Sequence, residues 1–371
     1  MTKVQTALAI VLGAGSVLGL LLPVSAGDAT LLDVPAVAAF AVLGVLSLSR
    51  FWAARFRLAL PYWVDGGLSV LGAVALLAAL PQIGLAGAGY WPLLVAAWAA
   101  AWLFVERMIA AEPARGGSRL RRLLVPVYFG VWILVLWEAV VRGAGVPSVL
   151  LPPPSAVGVR LAASTGILWA DFQQTFLKAV LIGYVLGCGS AFLAAIAIDR
   201  SPFLQRGLLP LGNFVSALPI IGVAPILVMW FGFDWPSKAA LVVVMTFFPM
   251  LVNTIAGLAA SGAMERDLMR TYAAGYWQTL FKLRLPAAAP FIFNALKINS
   301  TLALIGAIVA EFFGTPIVGM GFRISTEVGR MNIDMVWAEI AVAAVAGSAF
   351  YSAVTLVERA TTFWHPSVRS G

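Results

Sequence analysis

The chain has 371 residues, 61% of them apolar and only 11% charged, with a net charge of +8. A soluble protein carries about a quarter charged residues, so the composition excludes a soluble enzyme or binding module. It points to an all-α polytopic membrane protein, because runs of about twenty apolar residues recur along the chain. Their lack of strict alternation excludes a lipid-facing barrel. The positive charge does not indicate nucleic acid. In the topology set out below, 17 of the 24 Lys and Arg fall on one side, the bias of cytoplasmic loops. One cysteine, Cys188, rules out a disulfide within the chain, and with a single histidine, His365, a soft-metal site has almost no ligands to draw on.

Residues 4–24 read as an uncleaved first helix, although the following Val24-Ser25-Ala26 resembles a small-residue cleavage site. Further spans are expected over 34–50, 62–82 and 90–107, with Arg50, Arg55 and Arg57 on the cytoplasmic side after the second. The segment 106–122, with Pro113, Gly116, Gly117 and five arginines, reads as a cytoplasmic linker. A domain boundary is placed there, at 115/116. The four helices before it show no motif and no buried charge pair, and Asp65 reads as an interfacial carboxylate.

Six more spans are expected over 123–141, 174–198, 207–231, 238–259, 291–313 and 336–357, ten in all with both termini inside. Leu151-Pro152-Pro153-Pro154-Ser155 is expected to be non-helical, since each proline restricts the residue before it. Gly183-x-x-x-Gly187 and Gly189 suit close helix approach. Pro210, Pro219 and Pro225 break the seventh span, and broken helices often line a cavity. Lys297 lies within a span and is expected to snorkel towards the cytoplasmic surface.

The most polar stretch between two apolar spans, 261–290, carries Arg266, Arg270, Lys282 and Arg284, which mark it as cytoplasmic. Its apolar residues recur at helical spacing, with Leu268, Tyr272 and Tyr276 in one row. A short amphipathic helix here either lies on lipid or is offered to a soluble partner. The segment resembles the loop of ABC-importer permeases that reads Glu-Ala-Ala, three residues, Gly, nine residues, Ile, one residue, Leu-Pro. Aligning Leu285-Pro286 places Ala273 at the Gly position and Asp267, Leu268 and Met269 on Glu-Ala-Ala. Gly275, two residues later, is expected to supply the chain break. Trp277-Gln278, Leu285-Pro286-Ala287-Ala288, Ala310-Glu311-Phe312-Phe313-Gly314 and Gly319-Met320-Gly321 are similar to the nitrate/sulfonate/taurine permease family. Within it, the wording is nearest the branch for thiamine-pyrimidine precursors or riboflavin. The resemblance covers about 123–364.

It implies a permease domain, 116–371, with a six-helix core and a coupling loop at 261–290. Residues 1–115 then form an additional four-helix membrane region. The resemblance also implies a homodimer in the cell membrane, served by an external binding protein and by separate ABC ATPase subunits that hold ATP and Mg. The chain itself has no phosphate-cradle motif, no loop large enough for an ATPase, and no cofactor or catalytic residue. Arg266, Asp267, Arg270, Ala273, Gly275, Tyr276, Trp277, Leu285 and Pro286 form the expected ATPase-coupling set. Asn253, Thr254, Asn299, Ser300 and Glu311 are the candidates for the translocation pathway, with helix-to-helix bonding as their alternative role. No arginine lies mid-span, which suits a neutral heterocyclic solute, such as a vitamin or pyrimidine precursor, better than sulfonate or nitrate. A secondary transporter driven by an ion gradient is the rival reading, and it would need a partnered mid-membrane acid. An intramembrane enzyme would need a convergent set of acids or histidines, and none is legible.

Overall fold

The computed structural model describes residues 2–27, 33–47, 61–111, 119–201, 203–204, 207, 219–314 and 317–364, which are helical almost throughout. They divide into two compact units, Met1–Gly158 and Val159–Gly371. The boundary at 115/116 drawn from the sequence lies inside the first. Arg50, Arg55, Arg57, Pro113, Gly116, Gly117, Arg206, Pro210 and His365 lie outside the described residues.

The first unit holds α1 (Lys3–Leu21), α2 (Pro35–Leu46), α3 (Trp63–Ile83), α4 (Tyr90–Ala110) and α5 (Arg119–Gly143). Leu12, Phe40, Leu76, Leu93 and Leu103 are fully buried between them. Small residues set the spacing: Gly72 lies against Phe40 and Ala97, as expected where no hydrophobic effect drives helices together. Val24-Ser25-Ala26 folds onto the turn before α4. Ser25 Oγ donates to the Ile83 carbonyl at 2.9 Å, and the Gly87 N–H donates to the Val24 carbonyl at 2.8 Å.

Asp65 corrects the sequence reading. It is fully buried rather than interfacial, and it forms an ion pair with Arg107. Asp65 sits in the first turn of α3 and Arg107 in the last turn of α4. Each charge therefore suits its helix end, and because α4 packs back along α3 these two ends, remote from the turn that joins the helices, meet. A separation of 42 residues hid the pair from the sequence.

The remaining helices are α6 (Pro154–Ala163), α7 (Thr165–Phe172), α8 (Leu181–Asp199), α9 (Ile220–Phe231), α10 (Trp235–Ala259), α11 (Ala263–Thr271), α12 (Tyr276–Thr279), α13 (Leu285–Glu311), α14 (Met320–Gly329) and α15 (Ile333–Thr361). Within the second unit α10 is central, packed on both α8 and α13. Phe176, Val180, Val242, Leu251, Ala295 and Ala307 fill the core. Gly183 and Gly187 face α10, where an added Cβ would collide with Val242 and Thr246, whereas Gly189 faces open space.

Among the described residues eight helical stretches are long and apolar enough to cross a membrane. Two of the ten expected spans, at α2 and α9, are shorter in their described parts. The helices that carry the sixth and ninth spans begin earlier than the spans themselves, with helix unbroken over Thr165–Asp199 and Tyr276–Glu311. Both runs contain a π-helical segment, Gln173–Val180 and Leu280–Arg284. The second ends immediately before Leu285-Pro286. Proline has no N–H and crowds the carbonyl four residues back, so the helix enters the proline by changing register. Pro154 and Ser155, expected to be non-helical, in fact open α6. A proline is well placed in a first helical turn, where its missing N–H would be unpaired anyway.

Candidate functional site

The loop between α10 and α13 presents α11. Gly262 enters it with extended backbone, Glu265 lies in its first turn and Arg270 in its last, both favourable to the helix dipole. Nothing on α11 is buried. Met264, Leu268 and Tyr272 recur every fourth residue and are 85%, 56% and 78% exposed. Arg270 and Asp267 pair at 3.4 Å with both side chains open to solvent, a contact worth about 0–1 kcal/mol. Arg266 is half-buried.

The chain reverses after α11 at Ala273, whose φ is +54°. The break that the sequence assigned to Gly275 is therefore made at Ala273, the position aligned with the family's glycine. Gly275 is extended, with φ −70° and ψ 169°. It caps α12, with its N–H donating to Gln278 Oε1 at 3.1 Å.

Tyr276 points inward rather than to solvent. Its hydroxyl donates to Asp199 Oδ2 at 2.9 Å. The same carboxylate accepts both terminal nitrogens of Arg284, at 2.6 and 2.7 Å. Arg284 Nε donates to the Leu258 carbonyl at 3.0 Å. The Arg200 guanidinium lies 4.4 Å from the Tyr276 ring centre and 4.8 Å from that of Trp277. Trp277 in turn stacks on Phe281, and both rings are exposed. Leu285 and Pro286 are half-buried at the start of α13. Sequence reasoning missed Asp199 and Arg200. Their one signal was a charged pair closing an apolar span.

The pathway candidates do not converge. Asn253 and Thr254 bond to carbonyls one turn back in α10, Pro249 at 2.8 Å and Met250 at 2.7 Å. Ser300 does the same to Lys297 in α13. Asn299, by contrast, bridges helices. Its Nδ2 donates to the Thr246 carbonyl at 2.8 Å and lies 3.2 Å from Cys188 Sγ, while its Oδ1 is buried with no hydrogen-bond partner among the described residues.

Glu311, at the other end of α13, is buried and holds α14 in place. It accepts from Thr175 Oγ1 and from the Gly321 N–H, both at 2.7 Å. Thr175 Oγ1 also accepts from the Met320 N–H at 2.8 Å. Asp171 accepts from the Gly319 N–H at 2.6 Å and from Arg323 Nε at 2.8 Å. That hydrogen bond to Asp171 holds the Arg323 guanidinium above its ordinary pKa. Three successive N–H groups that open α14 are thus capped by side chains from elsewhere in the unit, since the first N–H groups of any helix lack partners within it. Asp234 caps α10 in the same spirit. The Trp235 N–H lowers its pKa, with help from the Gln174 amide, Lys178 and Lys238. Glu339, fully buried with both carboxyl oxygens unpartnered among the described residues, also escaped the sequence reading. Lys297 pairs with Glu358, in the last turn of α15, at 2.8 Å.

The second unit is thus a helical bundle that offers a short helix from one loop. Residues 183–369 match the family described as "Binding-protein-dependent transport system inner membrane component". A probable ABC transporter permease of Haemophilus influenzae is 31% identical over 59% of this chain and 89% of its own. A riboflavin transport system permease of Chloroflexus aurantiacus is 30% identical, over 63% and 88%. A formylaminopyrimidine transport permease of Halalkalibacterium halodurans is 29% identical, over 67% and 98%. The chain belongs to the family of binding-protein-dependent transport system inner membrane components, and it is the permease subunit of an ATP-driven importer of small solutes.

Proposed function

We propose that this permease, acting as a homodimer, docks a separate ABC ATPase through α11 and the Trp277–Phe281 pair. Its solute in this reading is a neutral vitamin or vitamin-precursor heterocycle, delivered by an external binding protein. ATP and Mg belong to the ATPase, and no cofactor belongs to this chain. The loop 261–290 and both termini are cytoplasmic. Residues 116–371 act as the permease domain, with 1–115 as an additional membrane region.

The observation that carries the docking reading is the exposed Met264, Leu268 and Tyr272 stripe, bordered by Asp267 and Arg270. It has the form of a helix laid apolar face first into a partner's groove. The relatives named for riboflavin and formylaminopyrimidine support the solute class. So do Lys178, Lys238 and Lys297, since each has a protein partner: Lys178 with Gln174, Lys238 with two carbonyls, Lys297 with Glu358. None of the three stands free for an anion.

The test is co-purification with the candidate ATPase, comparing wild type with Leu268→Lys plus Tyr272→Ala. The double variant is expected to stay monodisperse and lose the ATPase at least tenfold. Retention at wild-type level would remove α11 as the docking element. In the reconstituted wild-type system with its binding protein, riboflavin or formylaminopyrimidine is expected to raise ATP turnover and taurine to leave it unchanged. The reverse pattern would reassign the solute to the sulfonates.

A further inference from the structure

We propose that Asp199 and Arg284 are positioning residues that join the α11 loop to the transport helices, so that movement of the docked loop becomes movement of α8 and α10. This rests on the reading of α11 as the ATPase-docking helix, and it adds a part that docking alone does not require.

Asp199 is the last residue of α8, and the Leu258 carbonyl lies in the last turn of α10. Arg284 closes the π-helical segment that leads into α13. One guanidinium therefore uses its Nε on the end of α10 and both terminal nitrogens on the end of α8. Carbonyls in a last turn have no partner within their own helix, and a cation there suits the dipole. The planar fork matches a carboxylate bidentately, a geometry that lysine cannot reproduce.

Asp199 then carries a third donor, the Tyr276 hydroxyl, and its neighbour Arg200 covers the Tyr276 and Trp277 rings. The Asp199 and Arg284 side chains are only 12% and 16% exposed, against 70% and 83% for Asp267 and Arg270. Water and salt screen the outer pair and not the inner one. Loop and helix ends thus move together, or the pair must break. The docking stripe on α11 contributes nothing to this joint, so binding of a partner and its mechanical effect can be separated by mutation.

The experiment uses the full permease with its ATPase in proteoliposomes, reading both ATPase retention and permease-stimulated ATP turnover. Asp199→Asn and Arg284→Lys are expected to keep the ATPase bound within about twofold while stimulation falls tenfold or more. Asp199→Glu restores the charge and is expected to recover most of the stimulation. Tyr276→Phe, which removes one hydrogen bond and no charge, is expected to lie between. It keeps the question open to measurement if the charged variants prove unstable in detergent. Unchanged stimulation in a folded Asp199→Asn would overturn the proposal. So would a loss of ATPase binding in step with stimulation, because the pair would then merely shape the docking surface. Failure of the wild-type permease to retain the ATPase would sink the docking reading itself, an outcome separate from both.

Discussion

Ala273 occupies a backbone region that costs a residue with a Cβ about 1–2 kcal/mol. Its φ of +54° is what turns the chain from α11 back towards α12. Glycine tolerates that conformation, at the expense of a more flexible unfolded chain. Ala273→Gly is therefore expected to stabilise the permease, by about 0.5–1 kcal/mol once the two effects are set against each other. Gly275→Ala is expected to be neutral or slightly stabilising, since Gly275 is extended and an added Cβ meets nothing within 4 Å. Thermal unfolding of the purified permease in detergent tests both. A clear loss of stability in either variant would contradict the backbone assignment. The sequence placed the turn within two residues but chose the glycine, because propensity alone favours Gly wherever a chain must reverse. What decided otherwise was Gln278 capping the Gly275 N–H, which holds that residue in an extended cap. Asp65 shows the same limit. Its residue type was legible and its partner was not, because ion pairs between helix ends depend on how the helices pack.

The packing of α8 on α10 was more legible than any site. Gly183-x-x-x-Gly187 puts two small residues on one helix face, and the structure lays that face on Val242, Val243 and Thr246. Gly189, two positions on, points away, as the helical period requires. Gly187→Leu is expected to push α8 off α10 and destabilise by about 1–3 kcal/mol, the usual range for overpacking. It also disturbs Thr246, whose carbonyl holds Asn299. Gly189→Leu adds the same side chain to open space and is expected to behave as wild type. Equal yield and equal melting of the two variants would mean that this interface is not as tight as described. The spans themselves were legible because length and hydropathy are local properties of the chain. The π-helical segments were not, since hydrophobic periodicity cannot resolve a one-residue change of register just before Pro286. Asp199 and Arg284 stand 85 residues apart, and nothing local links them.

At the scale of the whole molecule, orientation follows from where the cations lie rather than from any single contact. With 17 of 24 Lys and Arg assigned to one side, the proposed orientation turns the loop holding α11 to the cytoplasm, where an ATPase can reach it. The loop joining α13 to α14 must then face outside, because one membrane-crossing helix separates them. Two exposed positions report on this directly: Met264 on α11, 85% exposed, and Ile317 before α14, 78% exposed. The sole native cysteine, Cys188, is buried, so it leaves a quiet background for labelling. In intact cells a membrane-impermeant maleimide is expected to label Ile317→Cys, and to label Met264→Cys only after permeabilisation. Because α13 is a single helix from Leu285 to Glu311, the two sites must report opposite sides if it spans the bilayer. Labelling of both from outside would mean that α13 does not cross. Labelling of Met264→Cys alone would invert the molecule and take α11 out of reach of any cytoplasmic ATPase, whatever the chemistry of its exposed face.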